Sequence, residues 1–354
     1  MSQIVLMGHR PGAVIAARRL GLDAQVVVVR GEGEASDRSC PLIELADTDR
    51  ESLESLAERV RHADAVVGLT ERMVVPAARL RALLGLEGTT PAVALRAHDK
   101  LFMKEAFRAA GIPCARFLPA GPKDDVDALV EQLGLPLVMK DRKGSGSRGT
   151  VLVEDAKGVR AALRESGIAE ALVEGEEMSV EAFVFEGEVL FESFTQYLAP
   201  FWANVVPAPV GIDVRALLSR TLREVVAAIG ATRAMVHLEV FVTPSGILAS
   251  EVALRPPGGY LMRLVEAAYG FDAWKALLRL ELGEAPSVPR EPAQVAGVWI
   301  FHPGPGFVEA VDGLDEARLI PSVRRLHCTA ARGSKLGTRA GSGQAVGSVI
   351  CVGA

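Results

Sequence analysis

The sequence predicts a multidomain α/β and α+β protein, and three observations carry that expectation. Short apolar runs alternate with amphipathic segments through the first 95 residues, as parallel βαβ units require. Beyond them the strand-like runs come in adjacent pairs joined by Gly-containing turns, the pattern of antiparallel sheet. At about 150 residues per domain, 354 residues allow two to three domains.

Taken in order, Ile4–Met7 is a strand that stops at Gly8, Ala13–Leu20 a helix, and Gln25–Val29 a strand buried on both faces. Glu51–His62 has helical periodicity, Ala65–Leu69 is a strand, and Val74–Leu84 a helix. Gly8 and Gly12 lack the GxGxxG spacing of a dinucleotide site and read as a tight strand-to-helix turn. Leu95–Ile112 is expected as one helix with His98 or Asp99 in its first turn, closed by Gly111 and Pro113. Leu135–Asp141 and Thr150–Glu154 are strands joined by the loop RKGSGSRG, and Ala171–Phe185 carries a second strand pair. Leu217–Ile229 is an amphipathic helix, Val236–Val242 and Ile247–Leu254 form a hairpin, and Leu261–Tyr269 is a helix. GEAPSVPREPAQ reads as a linker, followed by short strands with Gly and Pro turns.

Composition excludes several classes. With 49% hydrophobic and 23% charged residues the chain is not disordered, and a net charge of −5 gives no bulk attraction to nucleic acid or anionic lipid. Cys40, Cys114, Cys328 and Cys351 form no CxxC pair, which argues against zinc and for reduced thiols in the cytoplasm. The first residues lack the basic and apolar blocks of a signal peptide, and no apolar run approaches the roughly 20 residues of a membrane span.

The hairpin is the most informative segment. Pro244-Ser245-Gly246 can close a three-residue loop, with Gly in the left-handed position. That register sets Thr243 opposite Ile247, Glu239 opposite Glu251 and His237 opposite Ala253, with Arg255 farther along the same face. The other face, Val236, Leu238, Val240 and Val242 against Leu248, Ser250, Val252 and Leu254, is the core face. Like charges directly opposed cost a few tenths to about 1 kcal/mol, so the two glutamates need a counter-ion. A divalent cation such as Mg²⁺ supplies one, with phosphate and water completing its shell. The alternatives are neutralisation by Arg255 or a lysine, or a four-residue loop that sends the glutamates to opposite faces.

RKGSGSRG is either a mobile turn or an anion cradle of backbone N–H groups and Ser hydroxyls; it is not a GxxxxGK[ST] loop. Lys140, just before it, is either a buried phosphate ligand or a snorkelling surface residue. Lys100 and Lys104 share a helix face, and a solvated face is the reading for Lys104.

Four segments in this order resemble the ATP-grasp superfamily: AHDK followed by AAGIPCARF, LVMKDRKGSGSRGTVLV, AEALVEGEEMSVEAFV, and HLEVFVTPSGILASEVALRPPGG. The resemblance spans nearly the whole chain. It implies a Rossmann-like pre-grasp domain (1–95), a small ATP-grasp subdomain with the phosphate loop (96–185), a large subdomain with the metal hairpin (186–285) and a C-terminal β-rich module (286–354). It implies ATP held by Lys100, Lys140, Ser145, Gly146 and Ser147, with Glu170, Ala171 and Val173 at adenine and Glu177 at ribose. It implies Mg²⁺, replaceable by Mn²⁺, on Glu239 and Glu251, and Arg255 with Lys140 as catalytic groups. The sequence departs from the family at Ala253, where an Asn ligand is expected; a second metal would then rely on water or on a bidentate Glu251.

RPPGGYLMRLVEAAYGFD and the tail with FHPGPG and GSVI resemble the carboxylate–amine ligase branch, in particular L-amino acid ligases. This implies amide formation through an acyl phosphate from a small carboxylate and an amine, both amino acids, with no nucleic-acid or membrane partner and room for a homodimer. Substrate candidates are Tyr197, Trp202, Asn204, Arg255, Gly258, Gly259 and His302, and Arg263 faces either a carboxylate or solvent. Two other readings stay open: an ATP-grasp enzyme of the carboxylase or purine type, and a nucleotide-binding protein without turnover.

Overall fold

The computed structural model describes residues 2–30, 40–146, 149–164, 167–199, 202–338 and 345–353. Strands β1 (Gln3–Met7), β2 (Asp23–Val29), β3 (Leu42–Leu45) and β4 (Ala65–Gly68) form a parallel sheet in the order β3-β2-β1-β4. Helix α1 (Pro11–Arg19) connects β1 to β2, α2 (Arg50–Arg59) connects β3 to β4, and α3 (Glu71–Leu84) follows β4. Both faces are covered, which is why these strands read as unbroken valine-rich runs. Val5, Met7, Val27 and Val29 pack with Leu53, Leu56 and Leu80; Ile4, Leu6, Val26 and Val28 pack on the α1 side. β3 was not anticipated: it is four residues long, and the alternating burial of LIEL gives too short a signal.

The single helix expected over Leu95–Ile112 is two, α4 (Pro91–His98) and α5 (Lys100–Ala109). They part at Asp99, which is extended at φ −93° and ψ 111°. Its carboxylate caps α5 by accepting from the N–H groups of Leu101 and Phe102.

A small antiparallel sheet follows, from β5 (Phe117–Pro119), β6 (Leu137–Asp141), β7 (Val151–Val153) and β8 (Gly167–Ala171) in the order β5-β8-β6-β7. Helices α6 (Val126–Leu133) and α7 (Ala156–Ala162) pack on it through Leu129, Leu133 and Val159.

The remaining strands are β9 (Glu176–Phe185), β10 (Glu188–Ala199), β11 (Ala203–Val206), β12 (Arg233–Thr243), β13 (Gly246–Ala253), β14 (Val295–Phe301), β15 (Gly306–Phe307), β16 (Val323–Cys328), β17 (Lys335–Leu336) and β18 (Gly347–Gly353). Eight of them make one antiparallel sheet in the order β13-β12-β9-β10-β11-β14-β18-β16, while β15 and β17 pair separately. Helix α8 (Ile212–Ile229) packs on one face of the large sheet; α9 (Leu261–Tyr269) and α10 (Ala273–Glu281) pack on the other, and α11 (Leu314–Arg318) lies beside β16.

This topology bears on the expected divisions. The strand pair expected in Ala171–Phe185 is split between two sheets, β8 in the small and β9 in the large. The division drawn at 185/186 passes through the β9–β10 hairpin, and β14, β16 and β18 extend the large sheet rather than forming their own. None of the four cysteines forms a disulfide. No helix among the described residues is long and apolar enough to cross a membrane.

The Gly8/Gly12 turn is structural. Gly8 has φ +94°, and a Cβ on Gly12 would lie 2.3 Å from Trp274 Nε1 of α10. Helix propensity alone would make Gly12→Ala stabilising. The ring contact reverses the sign, and the substitution should cost about 1–3 kcal/mol in urea unfolding. A gain in stability would show that Trp274 swings aside freely.

Candidate active site

The site lies where the small sheet, the β12–β13 edge of the large sheet and the carboxyl ends of β1 and β4 meet. Its base is the hairpin. Glu239 is opposite Glu251 and His237 opposite Ala253, as the sequence suggested, but by another route. The loop has two residues, not three, so Thr243 faces Gly246 and Val242 faces Ile247. An extra residue, Ser250, then forms a bulge between the Val240–Ala249 and Glu239–Glu251 pairs. Continued without the bulge, that register would set Glu239 against Ser250 and turn Glu251 to the core face. The core face accordingly carries Ile247 and Ala249 with Val252 and Leu254, not Leu248 and Ser250 as expected.

A third carboxylate, Glu170 on β8, is held between two ammonium groups. Lys140 Nζ is 3.0 Å and Lys104 Nζ 3.2 Å from Glu170 Oε2. Lys104 is the clear correction: expected on a solvated face, it is 1% exposed. The signal was present, because Lys104 lies in the buried stripe of α5 with Leu101, Met103 and Phe107. Burial pushes Glu170 up, but Lys104 and Lys140 overcome it and hold the carboxyl below its usual range. Burial likewise opposes the charge on Lys140, and Glu170 and Glu251 restore it, so its pKa ends raised. Glu170 Oε1 is buried and has no hydrogen-bond partner among the described residues. It is an acceptor open to a ligand donor such as an exocyclic amine.

Lys100 Nζ donates to Gly144 O at 2.7 Å and to Glu251 Oε1 at 3.2 Å, tying the glycine-rich loop to the hairpin. Asp99 reinforces that tie, accepting two 2.8 Å bonds from Arg142 at the start of the loop. Ser145 and Gly146 follow, Gly146 at φ +63°. Ser147, the third loop residue expected to meet phosphate, lies outside the described residues, as do Pro200 and Phe201 of the aromatic segment. Ala171 and Val173 lie at the crossing between sheets. Glu177, on β9 opposite Phe241, is pushed up to about 7 by burial and by the charge of Glu239.

Behind the hairpin is a buried relay the sequence did not disclose. Glu181, 0% exposed, accepts from Ser179 Oγ at 2.7 Å and Thr195 Oγ1 at 2.5 Å and pairs with His237 Nδ1 at 3.0 Å. His237 Nε2 lies 3.3 Å from Glu239 Oε1. Burial disfavours charge on His237, but the two glutamates raise it to about 9. Burial would raise Glu239, yet His237, Arg255 and Lys140 keep it low; Glu251 is raised by burial and by Glu239 against the pull of Lys100.

A divalent cation fits this donor set: two opposed oxygen ligands, one of them oriented by a histidine. Among the described residues no three His, Cys, Asp or Glu form a metal cluster, so such an ion would take its other ligands from nucleotide oxygens and water. Ala253 is 4% exposed and offers only a methyl group.

Arg255 closes the other end. Its Nε donates to Glu71 Oε2 at 2.7 Å, and Glu71 Oε1 pairs with His98 Nδ1 at 2.7 Å. Burial opposes charge on Glu71, but His98 and Arg255 pull it down to about 2. Glu71 was missed; the signal is its place at the start of α3, just beyond the carboxyl end of a parallel strand. The substrate candidates fall near one another. Tyr197 pairs in register with Asn204, Asn204 Nδ2 donates to Gly259 O at 3.4 Å, and Trp202 meets His302 edge to face at 6.4 Å. Gly258 precedes Gly259 in the turn that leads into α9. Burial, and after it the charges of Glu239, Glu181 and Glu177, raise the Tyr197 pKa. Arg263 lies instead beside Arg325, and burial and that neighbour lower it.

Residues 105–261 match the ATP-grasp domain family and residues 298–354 the L-amino acid ligase C-terminal domain 2 family. An L-arginine-specific L-amino acid ligase of Bacillus subtilis is 28% identical over 250 residues, covering 65% of this chain and 60% of that protein. A D-alanine–D-alanine ligase of Sodalis glossinidius is 31% identical over 184 residues, 45% of this chain and 50% of the relative. The chain thus spans 60% or less of the length of these curated relatives. In three dimensions it resembles an L-amino acid ligase of Bacillus licheniformis with a TM-score of 0.85 at 20% identity, covering 99% of this chain and 93% of that one. A carboxyaminoimidazole ribonucleotide synthase of Aspergillus clavatus, solved with ATP, gives 0.78 at 19% identity, covering 99% and 94%.

Two outcomes follow from the charge balance. Glu170→Gln leaves Lys104 and Lys140 buried without their acid and should cost about 3–5 kcal/mol in urea unfolding. Added Mg²⁺ and ATP should recover part of it; a loss below about 1 kcal/mol would mean water reaches the lysines. For Glu177, the ordinary value of 4.5 rises to about 7 on folding, so its stability contribution is intact below 4.5 and lost as pH rises through 7. Glu177→Gln should therefore melt above the wild type at pH 8, the gap closing as pH falls toward 5. A gap independent of pH would contradict a titration in that window.

Proposed function

From an ATP-grasp domain followed by an L-amino acid ligase C-terminal domain, we propose that the chain is an ATP-dependent carboxylate–amine ligase that joins two amino acids. The observation that carries this reading is the pairing of Glu239 and Glu251 beside Lys100, with Arg255 following on the same strand end. In the first step a carboxylate oxygen of one amino acid attacks the γ-phosphorus of ATP, and the bond to ADP breaks. In the second, the amine of the other amino acid attacks the acyl carbon, inorganic phosphate leaves, and the nitrogen loses a proton.

Neither step needs a protein nucleophile; positioning and charge carry the rate. Lys104 and Lys140, held by Glu170, present positive charge to the nucleotide phosphates, and Glu170 Oε1 is free to accept from adenine. Glu177, on β9 opposite Phe241, would meet the ribose hydroxyls. Glu239, oriented by the Glu181–His237 relay, and Glu251 would hold Mg²⁺. That ion supplies charge compensation between the phosphates. Arg255, fixed by Glu71, faces the transferred phosphoryl group. Tyr197 with Asn204, and Trp202 with His302, would line the space for the amino-acid side chains.

The test is a screen of amino-acid pairs with Mg²⁺ and ATP, reading ADP release and the mass of the product. ADP release should require both partners and should vanish in Glu251→Ala. ATP hydrolysis indifferent to every pair would refute the ligase reading. Bicarbonate-dependent turnover would favour the carboxylase branch.

A further inference from the structure

The β1–α1 turn ends a parallel strand, and ligands of open α/β sheets lie beyond such carboxyl ends. Two basic side chains occupy this turn. His9 Nε2 is buried and has no hydrogen-bond partner among the described residues. Arg10 caps α1 without a side-chain cap bond, and its Nε donates to Leu69 O at 3.3 Å, just past β4. Two residues farther on, Glu71 has both oxygens engaged, one by His98 and one by Arg255. Arg10 itself has no ion pair among the described residues, and the charge that acts on it is another guanidinium, Arg255. A largely buried cation beside a second cation is unfavourable unless an anion completes the group.

We propose that Arg10, with His9 beside it, clamps the α-carboxylate of the amine-donating amino acid. This rests on the ligase reading. The donor carboxylate must meet the γ-phosphate at Glu239 and Glu251, within reach of Arg255, which acts on Glu239 directly. Arg10 instead bonds Leu69 O just past β4 in the parallel sheet, and its charged neighbour is Arg255 rather than Glu239 or Glu251, so the anion it takes is assigned to the amine donor and not to the carboxylate that is phosphorylated. An attacking α-amine carries its own carboxylate close by, so a cation next to Arg255 meets that group as nitrogen approaches the acyl carbon. The amine donor is then an α-amino acid with a free carboxylate, and the product a dipeptide with an open C-terminus.

The experiment compares wild type and Arg10→Met, using the most active pair from the screen with the amine donor supplied as the free acid or as its primary amide. Hydrogen bonds to charged groups predict that the acid-over-amide preference in kcat/KM falls by about 10- to 100-fold in Arg10→Met. Arg10→Lys should keep part of it. An unchanged preference, or equal losses for acid and amide, would overturn the clamp. Thermal melts separate this outcome from failure of the ligase reading and from misfolding. L-alanine should raise the melting temperature of the wild type more than L-alaninamide does, and the difference should vanish in Arg10→Met. Without ligand, Arg10→Met should melt no lower than wild type. A marked drop, or no difference between alanine and its amide on the wild type, would make Arg10 a structural residue even if turnover is never found.

Discussion

Charge removed from water has to be matched inside the protein, and that constraint organises this molecule. Glu170, Glu181, Lys100, Lys104 and His237 are all buried. Each has an oppositely charged neighbour on a different element: Glu170 on β8 faces Lys104 on α5 and Lys140 on β6, and Lys100 on α5 faces Glu251 on β13. The matching is incomplete in a directed way. Glu170 retains an oxygen with no hydrogen-bond partner among the described residues, and Glu239 opposes Glu251 as a like-charged pair. Lys140 has both Glu170 and the hairpin glutamates as charged neighbours, and a nucleotide with its cation would complete this group.

The same logic links the parallel sheet to the large one. Glu71 at the start of α3 receives Arg255 from beyond β13 and His98 from α4, so one carboxylate joins three elements. Arg81 does comparable work behind the site, donating to Val66 O and Thr89 O and lying 3.7 Å from Glu281. The Gly12–Trp274 contact fixes the spacing of the two layers nearby. The site is therefore held by contacts from both sides, and Gly12 at the turn serves packing.

Much of the fold was legible because period and punctuation are local properties. The valine-rich runs of β1, β2 and β4, the helix of Leu261–Tyr269 and the hairpin around Pro244 follow from patterns a few residues long. The helix break at Asp99 was not, because nothing in HDK forbids helix. What turns the chain there is Arg142, more than forty residues away, which takes the Asp99 carboxylate in a bidentate grip.

By itself the sequence determined that these two strands form a hairpin, the basic glycine-rich loop after Lys140, and the order of the segments, since strand period and turn residues act over neighbours. Only the tertiary structure decided that Glu239 opposes Glu251, through a two-residue loop and the bulge at Ser250 in place of the three-residue loop, and which lysines are buried. It alone brought Lys104 onto Glu170, His237 between Glu181 and Glu239, and Glu71 onto Arg255. Those pairings join residues far apart in the chain. Each depends on the desolvation that packing imposes, and no local pattern encodes which partner will compensate a charge once water is gone.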